Sequence, residues 1–328
     1  MTTLRLVLDR LVSPGVDGDG RYAENLAREI IARAPRGTEV EALLPKIGEE
    51  ELTAFERRVP GLVGVVQAPM RAERLMKAWQ RGLFTGVVGG GFIHAMGLFA
   101  PLRDISLSYG IDQTVVTVHD TTAFRRPELM DPAVVKWRQA MLRRAHRFAS
   151  AVVAPTNAVA DELMELYDFG DRLRVIGAAP APSIALPDSE AEGDRIAERL
   201  GLPDDYVLTL AGTEPRKGLA HLLRAMASPD LSGVRLVIVG RDGEGSSVQR
   251  TPRRVEVPEA TGAQPGEPVG SMLDALIAQA GVPAERIVAL GEIDDTELAV
   301  VYQRASALVV PSLEAGFGLP IVEAFHFG

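Results

Sequence analysis

The chain has 328 residues, more than one hydrophobic core ordinarily serves, so two domains are the starting expectation. Its 46% hydrophobic and 24% charged residues exclude long disorder, 5% aromatics offer no basic aromatic strand for stacking nucleic-acid bases, and the lack of cysteine removes disulfides, thiolate metal sites and thiol nucleophiles. The net charge of −9 is uneven: residues 1–150 carry 21 Lys and Arg against 17 Asp and Glu, the remainder 14 against 27, and a basic first half suits an anionic substrate or surface.

The opening "MTTLRLVLDR" reaches charge too quickly for a signal peptide, and no apolar run approaches the roughly 18 residues of a spanning helix, so the expected place is the cytoplasm. "LRLVLD" reads as a first strand, a Gly-Asp-rich loop follows, and "ENLAREIIARA" has helical spacing at Leu26, Ile30 and Ile31. "GVVGGGFIHA", "TVVTVHD", "SAVVAPT" and "RLRVIG" read as further strands; "AVVKWRQAMLRRAHRFA" and "NAVADELMELY" read as helices between them, with Asn157 the expected N-cap of the second. Residues 178–203, opening on a run rich in Pro, Ala and acid, are expected to link a first domain over 1–177 to a second over 204–328. The second half alternates again: "YVLTLAG", "LAHLLRAMA", "VRLVIVG", "SMLDALIAQAG", "RIVALG", "DTELAVVYQRA", "SALVVPS". Residues 241–270 interrupt it with Gly, Pro and charge and are expected to be a polar surface insertion. Such alternation predicts the α/β class, with parallel sheets flanked by helices on both faces and two doubly wound domains facing a cleft. Ligands of such sheets bind outside the carboxyl ends of the strands.

The motifs fall at those ends. In "LAGTEPRKGLAHLL" a strand closes near Gly212, the turn holds Thr213, Pro215 and Gly218, and a helix begins near Leu219. A helix start offers unpaired N–H groups and the positive end of the helix dipole, and Arg216 and Lys217 add two cations, a combination that favours a phosphate. His119 and Asp120 end the strand "TVVTVHD", where an acid–base pair reaches the cleft edge. In the loop "SPGVDGDGRYAENLAREI", glycines would let backbone approach a phosphate or sugar.

Together "AGTEPRKGLAHLLRA", "LGEIDDTELAVVYQRASALVVPSLEAGFGLPIVEA" and "TVHDTT" resemble family 4 of the retaining nucleotide-sugar glycosyltransferases, whose GT-B fold sets two Rossmann-like domains around a donor site. "GDGRYAENLA" is similar to the "GIGRY" start of that family. The resemblance implies a nucleotide-diphosphate sugar as donor, a hydroxyl acceptor (a glycan, a lipid-linked or a small molecule) and no cofactor. It assigns Arg216 and Lys217 to the donor diphosphate and leaving group, and His119 to the donor sugar. Glu323 is assigned to the ribose hydroxyls, and Gly316, Phe317 and Gly318 to backbone contacts with sugar and phosphate. Gly18 and Gly20 would flank the diphosphate, and Leu290 and Gly291 would meet the base. Neither "DGD" (17–19) nor "DD" (204–205, 294–295) lies beside the basic loop, so a metal-independent reaction is expected, with retention as the resemblance implies.

The pattern departs in two places. The family carries Glu immediately before Gly-Phe-Gly, where this chain has Ala315 and Glu314 stands one residue earlier. The family also continues past the position of Gly328, so an incomplete second domain, completed by further chain or a partner, is expected. Two basic segments, 70–84 and 135–148, have amphipathic spacing, with Leu75, Met76 and Trp79 opposite Arg71, Arg74, Lys77 and Arg81 in the first. They admit peripheral contact with the inner face of a membrane, or an ordinary apolar stripe packed on a core. A catalytically weak nucleotide-sugar-binding subunit and a GT-B-like sugar-nucleotide epimerase stand as alternative functions, the latter short of acid–base groups beyond His119 and His94.

Overall fold

The computed structural model describes residues 2–13, 18–83, 85, 91–104, 112–240, 253–254 and 272–328. The chain divides into two compact units, Met1–Ala178 and Ala179–Gly328.

The first unit runs β1 (Thr2–Val7), α1 (Gly18–Arg33), β2 (Thr38–Leu44), α2 (Glu49–Arg58), β3 (Gly64–Gln67), α3 (Ala72–Gln80), β4 (Gly91–Ala95), β5 (Asp112–Thr117), α4 (Thr122–Arg125), α5 (Pro132–Phe148), β6 (Ala151–Ala154), α6 (Asn157–Leu166) and β7 (Leu173–Val175). Its strands form one parallel sheet in the order β3-β2-β1-β4-β5-β6-β7, with Leu4 opposite Val40 on one side and Phe92 on the other. Because successive strand residues face opposite ways, each sheet face builds its own core. On one face Leu75 and Trp79 of α3, Met141, Leu142 and Ala145 of α5, and Leu163 of α6 meet Ile93 and Val116. On the other, Ala23 and Ala27 of α1 and Phe55 of α2 meet Leu6, Val40 and Ala42.

The second unit runs α7 (Glu190–Arg199), β8 (Val207–Leu210), α8 (Leu219–Met226), β9 (Leu236–Val239), β10 (Arg253–Arg254), α9 (Met272–Ala280), β11 (Ile287–Gly291), α10 (Asp295–Arg304), β12 (Ala307–Leu308) and α11 (Leu319–Phe327). The sheet order is β10-β11-β9-β8-β12, parallel except for the two residues of β10 on β11. Both sheets are doubly wound, and each has a switch point where successive connections leave in opposite directions: between β1 and β4, and between β8 and β12.

Several expectations are corrected. The supposed linker 178–203 contains α7, capped by Ser189, whose Ile196 and Ala197 are buried with Leu200 against Leu298 and Val301. Thr156, not Asn157, caps α6: its hydroxyl accepts from the Val159 N–H at 3.1 Å, because only the residue one position earlier keeps the extended backbone a cap needs. The apolar stripes of 70–84 and 135–148 lie in the core, since Leu75, Trp79, Met141 and Leu142 are buried. They are not free to enter a bilayer. The insertion 241–270 lies outside the described residues apart from Arg253–Arg254. Among the described residues no helix is long and apolar enough to cross a membrane.

Candidate functional site

In the second unit the switch point gathers two loops. After β8 the chain passes Gly212 and Thr213 into a single tight turn, Pro215–Lys217, and then starts α8 at Leu219. Gly218 joins turn to helix with φ +68°, and a Cβ there would sit 2.0 Å from the Pro311 carbonyl oxygen, so only glycine fits. After β12, residues 309–318 form the second loop, and the Leu313 N–H donates to the Arg216 carbonyl at 2.9 Å. The basic turn and the Glu314–Gly318 loop are therefore joined backbone to backbone. Arg216 and Lys217 are half-buried, and Arg216 has no ion pair among the described residues.

Their cations lie at the start of α8, where they oppose the helix dipole rather than complement it. A bound anion would reverse that conflict. Gly316, Phe317 and half-buried Glu314 line the second loop, Ala315 is exposed, and Gly318 turns the chain into α11 at φ +77°. Next to β8, Gly240 closes the end of β9: its N–H donates to the Gly291 carbonyl at 2.9 Å, and a Cβ on it would lie 2.6 Å from the Ala211 oxygen.

Two second-unit residues stand elsewhere than expected. Leu290 is 5% exposed and part of the core, because strand alternation turns its side chain inward; only Gly291 presents backbone at that strand end. Glu323 is 2% exposed, and its Oε2 accepts from the Tyr302 hydroxyl at 2.7 Å. It packs α11 onto α10, whereas the resemblance assigned it to ribose. Tyr302, its partner, carries no motif signal in the sequence.

In the first unit, a polar cluster sits at the carboxyl ends of β4 and β5 and the first turn of α1. His119 lies two residues past β5, with Nε2 2.7 Å from the Met96 carbonyl. A carbonyl only accepts, so Nε2 carries a proton, and Nδ1 is an acceptor whenever the ring is neutral. The Tyr22 ring meets the imidazole edge-on at 4.8 Å. Asp120 accepts from the Thr122 N–H at 2.9 Å and from Arg138 Nη1 at 2.9 and 3.0 Å. Burial pushes the Asp120 carboxyl up, but Arg138 and the hydrogen bonds from Thr122 and Arg138 outweigh it and bring the pKa down to about 2. His94 Nε2 lies 3.2 Å from the Thr117 hydroxyl, and burial, aided by His119, pushes its pKa down to about 4. Its neutrality at pH 7 follows.

Gly18 and Gly20 lie inside α1 rather than in a loop, and residues 14–17 before them are outside the described residues. Asp19, between them, places a carboxylate on the positive end of the helix. Burial works against that carboxylate, but His119, Arg10 and Arg138 hold its pKa below the ordinary value. Asp19, Tyr22 and Arg138 were not found from sequence; Arg138 comes from the middle of a helix with no local pattern to mark it. Among the described residues no three His, Asp or Glu side chains converge on a metal-sized site.

Residues 16–178 match the family described as Glycosyltransferase Family 4, and residues 192–328 that described as Glycosyl transferases group 1. The chain is 26% identical over 222 residues to the serotype-specific mannosyltransferase WbdA of Escherichia coli, covering 66% of this chain and 24% of that protein. It is 27% identical to the MMP alpha-(1->4)-mannosyltransferase of Mycolicibacterium hassiacum, over 90% of this chain and 63% of the relative. With D-inositol 3-phosphate glycosyltransferase 1 of Catenulispora acidiphila the figures are 29%, 91% and 62%. The chain thus spans less than two thirds of the length of each. Among solved structures, Anabaena HepE in complex with UDP and glucose superposes with a TM-score of 0.65 at 19% identity, covering all of this chain and 78% of that one. Sucrose-phosphate synthase of Thermosynechococcus elongatus does so at 0.64 and 16%, covering all of this chain and 80% of its own. Two doubly wound sheets and these fold neighbours give the chain the GT-B architecture, its first unit similar to Glycosyltransferase Family 4 and its second to Glycosyl transferases group 1.

Proposed function

We propose that this chain transfers a hexosyl group from a nucleotide-diphosphate sugar to a hydroxyl acceptor, with retention at the anomeric carbon and without a metal ion. The observation that carries this reading is the second-unit switch point, where the Arg216–Lys217 turn is fixed against the Gly316–Gly318 loop by the Leu313-to-Arg216 hydrogen bond. Breaking the anomeric C–O bond leaves negative charge on the departing diphosphate and positive character on the sugar. Two cations and a set of amides held in place beforehand stabilise that charge, each such donor contributing roughly 2–4 kcal/mol to barrier lowering. In this reading Arg216 grips the diphosphate through two donors and Lys217 acts as a point charge. His119, through Nδ1, accepts from a hydroxyl of the donor sugar. Retention has the acceptor attack on the face from which the diphosphate leaves.

A thermal-shift panel of UDP-, GDP- and dTDP-sugars identifies the donor, with mannose among the hexoses because the WbdA and M. hassiacum relatives are named as mannosyltransferases. With that donor, Lys217→Ala is expected to lower kcat about 100-fold or more. NMR of the product should show the anomeric configuration of the donor, and a chelator should leave the rate unchanged. An inverted product or a chelator-sensitive rate would overturn the corresponding half of the proposal. The one-residue shift that leaves Ala315 beside Gly316 favours, as a second reading, a nucleotide-sugar-binding subunit with little turnover. Negligible and equal turnover by the wild type and Lys217→Ala, with nucleotide binding retained by the wild type, would support that reading.

A further inference from the structure

β4 and β5 carry two polar residues on the sheet face that α1 covers. His94 stands opposite Leu6 and Val115, and Thr117 is two residues past Val115, so both point to the side where Leu6 packs with Ala23 of α1. Ile93 and Val116 take the other side, in the core shared with α3 and α5. Thr117 is 0% exposed, His94 is half-buried, and so is Tyr22, the neighbour of Ala23 on α1. Apolar side chains would fill this place at no electrostatic cost, and buried polar groups are tolerated only when each finds its partner.

The three residues find those partners in one another. His94 Nε2 lies 3.2 Å from the Thr117 hydroxyl, and the Thr117 and Tyr22 hydroxyls share a hydrogen bond. Burial pushes the Tyr22 hydroxyl up and the His94 ring down, so the tyrosine keeps its proton and the imidazole stays neutral. A hydroxyl both donates and accepts, so Thr117 serves both neighbours in either proton order. At its far end the chain holds the Tyr22 ring, which meets the His119 ring at 4.8 Å and 83°. Asp19, three residues before Tyr22 and hence on the same side of α1, lies within electrostatic reach of the same histidine. The other restraint on His119 is the bond from Nε2 to the Met96 carbonyl. In an imidazole Nε2 lies nearer the Cβ–Cγ axis than Nδ1 does, so a turn about that axis moves Nε2 less than Nδ1. The bond to Met96 alone leaves that turn open, and the tyrosine ring opposes it.

We propose that Tyr22 is a positioning residue for His119. The buried chain of His94, Thr117 and Tyr22 fixes the tyrosine ring, and that ring fixes the imidazole plane, so that Nδ1 meets the donor sugar in one orientation. The inference rests on the role given to His119 under the proposed function and adds that Tyr22 works through the histidine without touching substrate. Loss of the tyrosine hydroxyl removes one hydrogen bond, an effect of about fivefold, whereas loss of the whole ring frees the imidazole to turn.

Two measurements test it, one of them without substrate. The chain has only five histidines, so long-range nitrogen–proton NMR of histidine-labelled protein resolves each ring. At mildly alkaline pH, where an ordinary imidazole is neutral, His119 should show the Nε2–H tautomer alone. Tyr22→Leu and Thr117→Val should each shift it toward a mixture of the two tautomers. In transfer assays with the donor found by thermal shift, Tyr22→Phe should lower kcat about fivefold and Tyr22→Leu roughly tenfold or more. In a His119→Ala background both penalties should vanish, since a residue that acts through another has nothing left to position. Should Thr117→Val not fold, the two Tyr22 variants carry the same comparison. An unchanged His119 spectrum in the folded variants, or penalties of full size without His119, would overturn the proposal. If no form of the chain turned over any donor, the transfer reading would fail by itself, and the NMR comparison would decide the positioning.

Discussion

Asp120 shows how a single side chain serves two purposes. It follows His119 in sequence, and its grip on Arg138 and the Thr122 amide fixes the backbone on which that histidine stands. Its carboxyl titrates near 2 in the folded protein and near 4 in an unfolded chain. A depressed folded pKa stabilises the fold above the unfolded value, and the contribution vanishes as pH falls from about 4 to 2; it is worth about 2 kcal/mol at neutral pH. Arg138→Ala strands the buried carboxylate and should cost about 3 kcal/mol at pH 7. Urea titrations at pH 7 and near pH 2 should therefore show a large loss at the first and a small one at the second. Equal losses would mean that Arg138 contributes by packing alone.

At the scale of elements, local signals that agree with the fold were legible and those in conflict with it were not. The start of α8 was readable because strand, Gly218 and Leu219 follow one another without ambiguity. β2 went unread because Glu39 and Glu41 break its apolar run, and Glu41 is acceptable there only through Arg5, which arrives from the neighbouring strand. α7 was mistaken for linker because the Pro, Ala and acid before it outweigh Ile196, Ala197 and Leu200. The pair Asp294–Asp295, weighed as a metal site, instead begins α10. Asp294 accepts from the Glu297 N–H at 2.8 Å, and Glu297 accepts from the Asp294 N–H at 2.9 Å. Asp294→Ala should lower stability by about 1 kcal/mol, read as a lower urea midpoint with an unchanged slope. The motifs proposed to meet the donor could be read because they are short and local, whereas the first-unit cluster of Asp19, Tyr22, His94, Thr117, His119 and Arg138 comes from scattered elements.

For the whole molecule, each unit has its own buried clusters, two apiece, so the two need not melt together. Calorimetry is expected to resolve two transitions. A donor at a hundred times its dissociation constant should stabilise the second unit by about 2.7 kcal/mol, raising one transition, and Lys217→Ala should diminish that rise. A single unaffected transition would place the donor's main contacts elsewhere.

Gly240 has one more consequence. With Gly212 on one side and Gly291 on the other, it makes the strand ends beneath the proposed donor loops a floor of bare peptide groups. Peptide dipoles do not titrate, are not oxidised and cannot swing aside as a side chain can. Selectivity among donors would then be written in the walls, at Glu314 to Phe317, while the floor stays the same for any nucleotide laid on it. Changing the sugar by substitution is a matter for that loop, and changing the floor would require a different backbone.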